Sequence, residues 1–453
     1  MIKLLMAGFV LGILVSAADS PSAVGDWMGT LSFNGVNLRI ALHIKQTAAS
    51  LAGTMDSLDQ GALGIPLDHV SFSDGKLSLR IAALQASYEG KLEASGKSLS
   101  GTFTQGGVSI PLDLKPTSEP VAIKRPQEPK PPFPYLGEEV GYENGDVHLA
   151  GTFTKPKGDG PFPAVLLITG SGQQNRDEEI LGHKPFWVLA DYLTRRGIAV
   201  LRVDDRGIGG STGVFRTSTT EDFATDVTAG VKYLLGRSDV DTRHVGLIGH
   251  SEGGIIAPMV AAKMPQVAFI VMLAGTALPG DQIVADQVYK ANILAGASPE
   301  KAAQARDFEA KLLSIDKTEP NAEAREKKML ALAEGEPAVQ KTIREQMPAL
   351  QSPWYRFFLA YDPRTALIKV KCPVLALDGA KDTQVDAQQN IPLIQAALAE
   401  GGNRDVTVKI VPGVNHLFQE AGTGAFSEYA TIEQTITPEV LDTIATWIEK
   451  RMR

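Results

Sequence analysis

Three residue types at suitable intervals in this chain could together cleave an acyl bond. Ser251 stands between Gly249 and Gly253 in Gly249-His250-Ser251-Glu252-Gly253-Gly254, the G-x-S-x-G pattern of a nucleophile elbow. Val245-Gly246-Leu247-Ile248 before it predicts a buried strand, and Ile255 to Ala261 after it predicts the start of a helix. A serine hydroxyl is a poor nucleophile at neutral pH, so it needs a base, and the base needs an acid to orient it. In the chain order serine, acid, histidine, the acid follows a late strand and the histidine follows the last one. Asp382 comes a few residues after the apolar run Val374-Leu375-Ala376-Leu377 and takes the acid's place, with Asp378 as the competing carboxylate. His416 follows the strand pattern Val406 to Val411, inside Pro412-Gly413-Val414-Asn415-His416, and of the seven histidines it alone occupies that slot. His250 is set aside, because adjacent positions on a sharp turn point apart.

Negative charge developing on a substrate oxygen needs backbone N–H groups, one of them from the residue after the nucleophile. That residue is Glu252. The second donor is expected from Thr169-Gly170-Ser171-Gly172-Gln173-Gln174-Asn175, whose small residues let the backbone approach a substrate; Ser171 is the first candidate and Gly172 the next. Ser171 has no elbow around it and does not compete as a nucleophile. The glycine-rich run Asp204-Asp205-Arg206-Gly207-Ile208-Gly209-Gly210 lacks the lysine and spacing of a phosphate loop and reads as a structural loop with an Asp–Arg pair. His43, alone on a strand, reads as structural, and so does Cys372, the single cysteine.

Positioning these groups requires a sheet. After residue 134, apolar strand patterns alternate with helical ones, among them Ala164 to Ile168, Phe186 to Arg196, Ala199 to Val203, Phe223 to Leu235, Val267 to Leu273 and Ile391 to Leu398. Such alternation predicts a mostly parallel sheet covered on both faces. About 100 residues separate Leu273 from Val374, far more than a crossover helix uses. Ala305, Phe308, Leu312 and Ile315 recur there at helical spacing, as Ile283, Val284, Val288 and Ala291 do less cleanly, so a helical cap over about 278–362 is expected, ending in Trp354, Tyr355, Phe357, Phe358 and Tyr361. Ordinary cap-to-body packing is the plain reading of those aromatics, and lining of an acyl or alcohol pocket the functional one.

The first part of the chain has another rhythm. Residues 22–115 alternate with period two, as in Leu38 to Ile44 and Leu77 to Ile81, and predict a small all-β, barrel-like domain. Within it Leu51-Ala52-Gly53-Thr54-Met55 leading to Ile65-Pro66-Leu67-Asp68 is echoed by Leu99-Ser100-Gly101-Thr102-Phe103 leading to Ile110-Pro111-Leu112-Asp113. Seven prolines between Pro116 and Pro134 mark an extended linker, 116–134, and 135–453 forms the catalytic domain with its cap. At the start, Lys3, the apolar run Leu4 to Val15 and the small residues Ser16-Ala17-Ala18 predict a signal peptide over 1–17, cleaved on export to the periplasm or beyond. That run is shorter than the ~20 residues of a membrane span. At 453 residues the chain is long enough for two or three domains, and a formal charge of -8 with no long basic run argues against nucleic acid as a partner.

Gly249-x-Ser251-x-Gly253, Gly379-x-x-Asp382 and Asn415-His416, in this order, resemble the α/β-hydrolase superfamily over about 134–453. Thr169 to Glu178, Asp205-Arg206-Gly207-Ile208-Gly209 and the elbow resemble, more narrowly, a group of bacterial carboxylesterases with an N-terminal β-domain and a helical cap. The resemblance implies hydrolysis of short-chain acyl esters, a small-molecule substrate, no cofactor and no metal. It departs from the usual His-Gly oxyanion signature, having Thr169-Gly170. A peptidase, an acyltransferase or a thioesterase would use the same three residues, and a surface ligand-binding protein with a secondary hydrolase domain is the reading from another class.

Overall fold

The computed structural model describes residues 22–33, 36–47, 50–60, 62–117 and 124–452; the expected signal segment lies outside them. The chain forms two compact units, residues 1–122 and 123–453. Among the described residues no helix is long and apolar enough to cross a membrane.

The first unit is one nine-stranded antiparallel sheet in which the first strand, Gly25–Phe33, pairs with both the second, Val36–Gln46, and the last, Val108–Pro116. The sheet therefore curls into a barrel, left open between Ala62–Pro66 and His69–Ser73. Its inward face is filled by Trp27, Leu42, Met55, Leu79, Tyr88 and Leu114, among others. The internal echo is two hairpins of the same register. Thr54 faces Pro66 and Met55 faces Ile65 in one; Thr102 faces Pro111 and Phe103 faces Ile110 in the other. His43 is not alone, since its ring nitrogens lie 2.8 Å from Asp26 and 3.0 Å from Asp56.

The second unit carries an eight-stranded sheet, with β1 Tyr135–Asn144, β2 Val147–Pro156, β3 Phe162–Ile168, β4 Ala199–Val203, β5 Val240–His250, β6 Phe269–Leu273, β7 Val374–Gly379 and β8 Val406–Val411. Their order is β1-β2-β4-β3-β5-β6-β7-β8, antiparallel around β2 and parallel from β4 onward. This is the α/β-hydrolase sheet. Alternate residues of a strand point to opposite faces, and the strands use both. Val165 and Leu167 of β3 pack against α1 (Pro185–Arg195) and the C-terminal helix Pro438–Glu449. Leu166 and Ile168 pack against α2 (Thr220–Leu235) and α3 (Gly253–Ala261). Apolar runs without polar alternation were the signature of strands buried on both sides.

Between β6 and β7 the chain forms the cap: α4 Gly280–Leu294, α5 Pro299–Thr318, α6 Ala322–Leu332, α7 Pro337–Leu350 and α8 Pro353–Ala360. It has a small core of its own from Leu312, Met329, Ile343, Met347 and Leu350, with a buried Asp316–Arg325 pair at 3.0 Å. The Pro-rich stretch is anchored where it enters this unit. Arg125 donates to the carbonyls of Leu181, Gly182, Ala430 and Ile432, and Gln127 bonds to residues 435 and 436.

Candidate active site

β5 ends at His250 and α3 begins at Gly253, so Ser251 occupies the corner between them. Its φ is +53°, a left-handed conformation that costs a non-glycine residue free energy and persists only where its surroundings hold it. They do: Ser251 N–H donates to Leu273 O at 2.8 Å, and its carbonyl accepts Gly254 N–H at 2.9 Å. The flanking glycines are required by contact. A Cβ on Gly249 would stand 2.0 Å from Gly253 O, and one on Gly253 would stand 2.2 Å from Ile168 O. These obstacles are backbone and cannot rotate away. Gly249→Ala is therefore expected to destabilise the fold by about 3 kcal/mol or to abolish soluble expression, read by thermal or denaturant unfolding.

Asp382 and His416 meet. His416 Nδ1 lies 2.6 Å from Asp382 Oδ2, and both residues are 4% exposed. The other carboxylate oxygen, Oδ1, accepts Gln384 N–H at 2.7 Å and Val385 N–H at 2.8 Å. Burial would raise the Asp382 pKa, but the charge and hydrogen bond of His416 and the Val385 N–H hold it below the usual range. Asp378, the competing carboxylate, is fully buried at the end of β7 and accepts the N–H of Gly379 rather than reaching His416. Burial and the neighbouring Asp382 charge push its pKa well above that of a free carboxyl. Gly379 lets the acid loop and the histidine loop touch, since a Cβ there would lie 2.4 Å from Val414 O. Asn415 then sets the turn that presents His416, accepting the N–H groups of Leu417 and Gln419 on its side-chain oxygen.

The loop after β3 is clamped from beneath by Asp204 and Asp205. Thr169 Oγ1 donates to Asp205 Oδ1 at 2.7 Å, Gln174 N–H to Asp205 Oδ2 at 3.0 Å and Arg176 N–H to Asp204 Oδ1 at 2.8 Å. Burial raises the Asp205 pKa to about 8 against these bonds, aided by the charges of Glu252 and Glu178. The Asp–Arg pair expected inside this glycine-rich run is not made. Arg206 binds Asp226 at 2.7 Å and Asp204 binds Arg176 at 2.8 Å, because each side chain faces a different neighbouring element. Gly170 N–H is taken by Glu178 Oε1 at 2.7 Å. Among the described residues, no acceptor takes the N–H of Ser171, Gly172 or Glu252. A cavity of about 50 Å3 opens beside Gly170, Gly172 and Glu252.

Several contributors had no recognisable local signal. Glu252 sits fully inside, its Oε1 accepting Thr220 Oγ1 at 2.6 Å and the indole N–H of Trp354, from cap helix α8, at 2.8 Å. Burial raises its pKa despite both bonds. On the other side, Lys290 of α4 donates to Asp382 O at 3.0 Å and pairs with Asp386 at 2.7 Å. The cap thus grips both the residue after Ser251 and the carbonyl of Asp382. Trp354 also stacks on Phe358 with ring centroids 5.5 Å apart, so at least this aromatic does more than pack. His250 is not turned away from the site either: its ring centroid is 4.9 Å from that of His416. Cys372 is half-buried, and burial raises its thiol pKa to about 11, which leaves it unreactive.

Comparison with known proteins gives four results. A family model of X-Pro dipeptidyl-peptidases, the S15 family, matches residues 144–416. Esterase EstD of Thermotoga maritima is 26% identical over 357 residues, covering 77% of this chain and 78% of that protein. An uncharacterized protein of Mycobacterium tuberculosis is 31% identical over 144 residues, which are 31% of this chain and 47% of that protein. Among solved structures, an esterase of Pyrococcus furiosus aligns with a TM-score of 0.44 at 16% identity, over 70% of this chain and 91% of that one.

Proposed function

From the premise that the chain belongs to the X-Pro dipeptidyl-peptidase family (S15), a family of hydrolases, we propose that it is a serine carboxylesterase acting on short-chain acyl esters. The observation that carries this reading is the buried 2.6 Å contact of Asp382 with His416, together with a left-handed serine held at a strand-to-helix corner. Asp382 holds His416 with Nδ1–H toward itself, which leaves Nε2 free to take a proton. As Ser251 Oγ attacks the ester carbonyl, His416 accepts the hydroxyl proton. The oxyanion is held by the N–H of Glu252 and that of Ser171 or Gly172. His416 returns the proton to the departing alcohol, and a water, activated by the same base, cleaves the acyl-serine to release the acid.

Two observations support esters with small acyl groups. The relative that aligns over most of the chain is named an esterase. The cap closes on the site from both sides, through Trp354 on Glu252 and Lys290 on Asp382, which favours small groups over long chains. The family model supports a second reading, release of X-Pro dipeptides. The two separate on one plate: p-nitrophenyl acetate to dodecanoate alongside Ala-Pro-p-nitroanilide. The ester reading expects kcat/KM highest for two- to four-carbon acyl groups and at least about 100-fold lower for the anilide. The reverse order would establish the peptidase instead.

A further inference from the structure

Glu178 and His250 are neither nucleophile, acid nor base, yet both are buried against the site, at 3% and 6% exposure. His250 Nε2 lies 3.0 Å from the carbonyl oxygen of His416, which can only accept, so Nε2 bears a proton. Nδ1 lies 2.9 Å from Glu178 Oε1. That same oxygen accepts Gly170 N–H at 2.7 Å, which marks it as an acceptor toward the ring as well. Two acceptors on one imidazole require two N–H groups, and the neutral ring has one.

The groups joined in this way lie on three separate segments. Glu178 and Gly170 belong to the loop after β3, and Gly170 precedes the oxyanion candidates Ser171 and Gly172. His250 precedes Ser251. The carbonyl of His416 belongs to the loop that presents the base. Gly170 is close-fitted over this junction: a Cβ there would stand 3.2 Å from Glu178 Oε1, 3.3 Å from Ser251 Cβ and 3.6 Å from His250 Nδ1.

We propose that His250 and Glu178 form a standing buried imidazolium–carboxylate pair that positions the oxyanion loop, the nucleophile turn and the base loop relative to one another. The role of the pair rests on the reading of Ser251, Asp382 and His416 given above; its protonation does not. The titratable groups facing the ring are Glu178, the tilted ring of His416 and, behind it, Asp382. Burial opposes the charged ring, but the Glu178 charge and hydrogen bond, the His416 carbonyl and Asp382 together carry its pKa above the ordinary histidine value. A histidine raised on folding adds stability in full below its unfolded pKa of about 6.5, and that stability is lost as pH rises through the folded value.

The test is nitrogen NMR of the full chain labelled with 15N-histidine, at pH 8.0. One ring, identified by its loss in His250→Gln or its shift in Glu178→Gln, is expected to keep both nitrogens protonated, in the wild type and equally in Ser251→Ala. A bare nitrogen on that ring at pH 8.0 would overturn the pair. For the positioning role, Glu178→Gln keeps an oxygen for Gly170 but removes the charge. It is expected to lower kcat about 100-fold with KM changed less than about 3-fold, the pattern of misplaced reacting groups. Should that variant not fold, His250→Gln, which can satisfy only one of the two acceptors, is expected to give the same split. A folded variant with kcat within 3-fold of wild type would refute positioning. Full activity in Ser251→Ala would instead remove the triad reading and leave the NMR result standing.

Discussion

Ser251→Ala should lower kcat for p-nitrophenyl acetate by at least about 10^4-fold while leaving KM and the melting temperature near wild type. The rate effect is large because nothing beside the elbow can replace the hydroxyl. Ser171 lies in the loop after β3 and has no strand-to-helix corner around it. The stability effect is small for a backbone reason. Ser251 adopts φ +53°, and alanine meets the same left-handed penalty as serine, so the exchange adds no new strain. The hydroxyl makes no hydrogen bond within the chain among the described residues, so its loss leaves no buried partner unsatisfied. A loss of both activity and melting temperature would mean that the side chain has a structural role as well as a chemical one.

Asp382→Asn is expected to cost kcat roughly 10^3- to 10^4-fold. Asparagine has the same shape, but neither orientation fits. With its NH2 toward His416 it presents a donor to Nδ1, which forces the ring into the tautomer whose Nε2 bears a proton and cannot act as base. Turned over, the NH2 faces the N–H groups of Gln384 and Val385, which now donate at 2.7 and 2.8 Å to a carboxylate oxygen. That opposition of donors should also lower stability by about 1–3 kcal/mol, read by urea unfolding. Asp378→Asn gives the contrast. Asp378 is the buried carboxyl whose pKa is raised, and an amide can stand in for a neutral acid, so a much smaller rate loss, under about 10-fold, is expected. If the two variants behaved alike, Asp382 would lose its distinct role.

What could be read from residues alone follows from how local the physical requirement is. The elbow was legible because its glycines answer contacts with backbone only a few residues or one strand away, as Gly249 does with Gly253. The strands were legible from unbroken apolar runs. The start of α2 at Thr220 precedes the first apolar position, Phe223, and the capping box of Thr219 with Asp222 sets it, a signal available in the sequence. The cap was legible as a surplus of chain with helical spacing. Its grip on the site was not, because Trp354 reaches Glu252 and Lys290 reaches Asp382 across 102 and 92 positions. Glu178 and His250, 72 apart, are hidden for the same reason. Each looks like an ordinary charged or polar residue until the sheet brings β3 and β5 side by side. The Asp204-Asp205-Arg206 run misleads in the opposite direction, since neighbours of opposite charge suggest a pair that the geometry of the loop divides among Arg176, Thr169 and Asp226.

In the proposed reaction an acyl group passes through covalent attachment to Ser251. Rapid acid quench of the protein with excess p-nitrophenyl acetate, followed by peptide mass analysis, tests it directly. The expected result is an acetyl adduct on the peptide containing Gly249 to Gly254, located on Ser251 by fragmentation and accompanied by a burst of p-nitrophenol. Active protein that carries the acetyl group on another residue, with Ser251 unmodified at every quench time, would contradict the account.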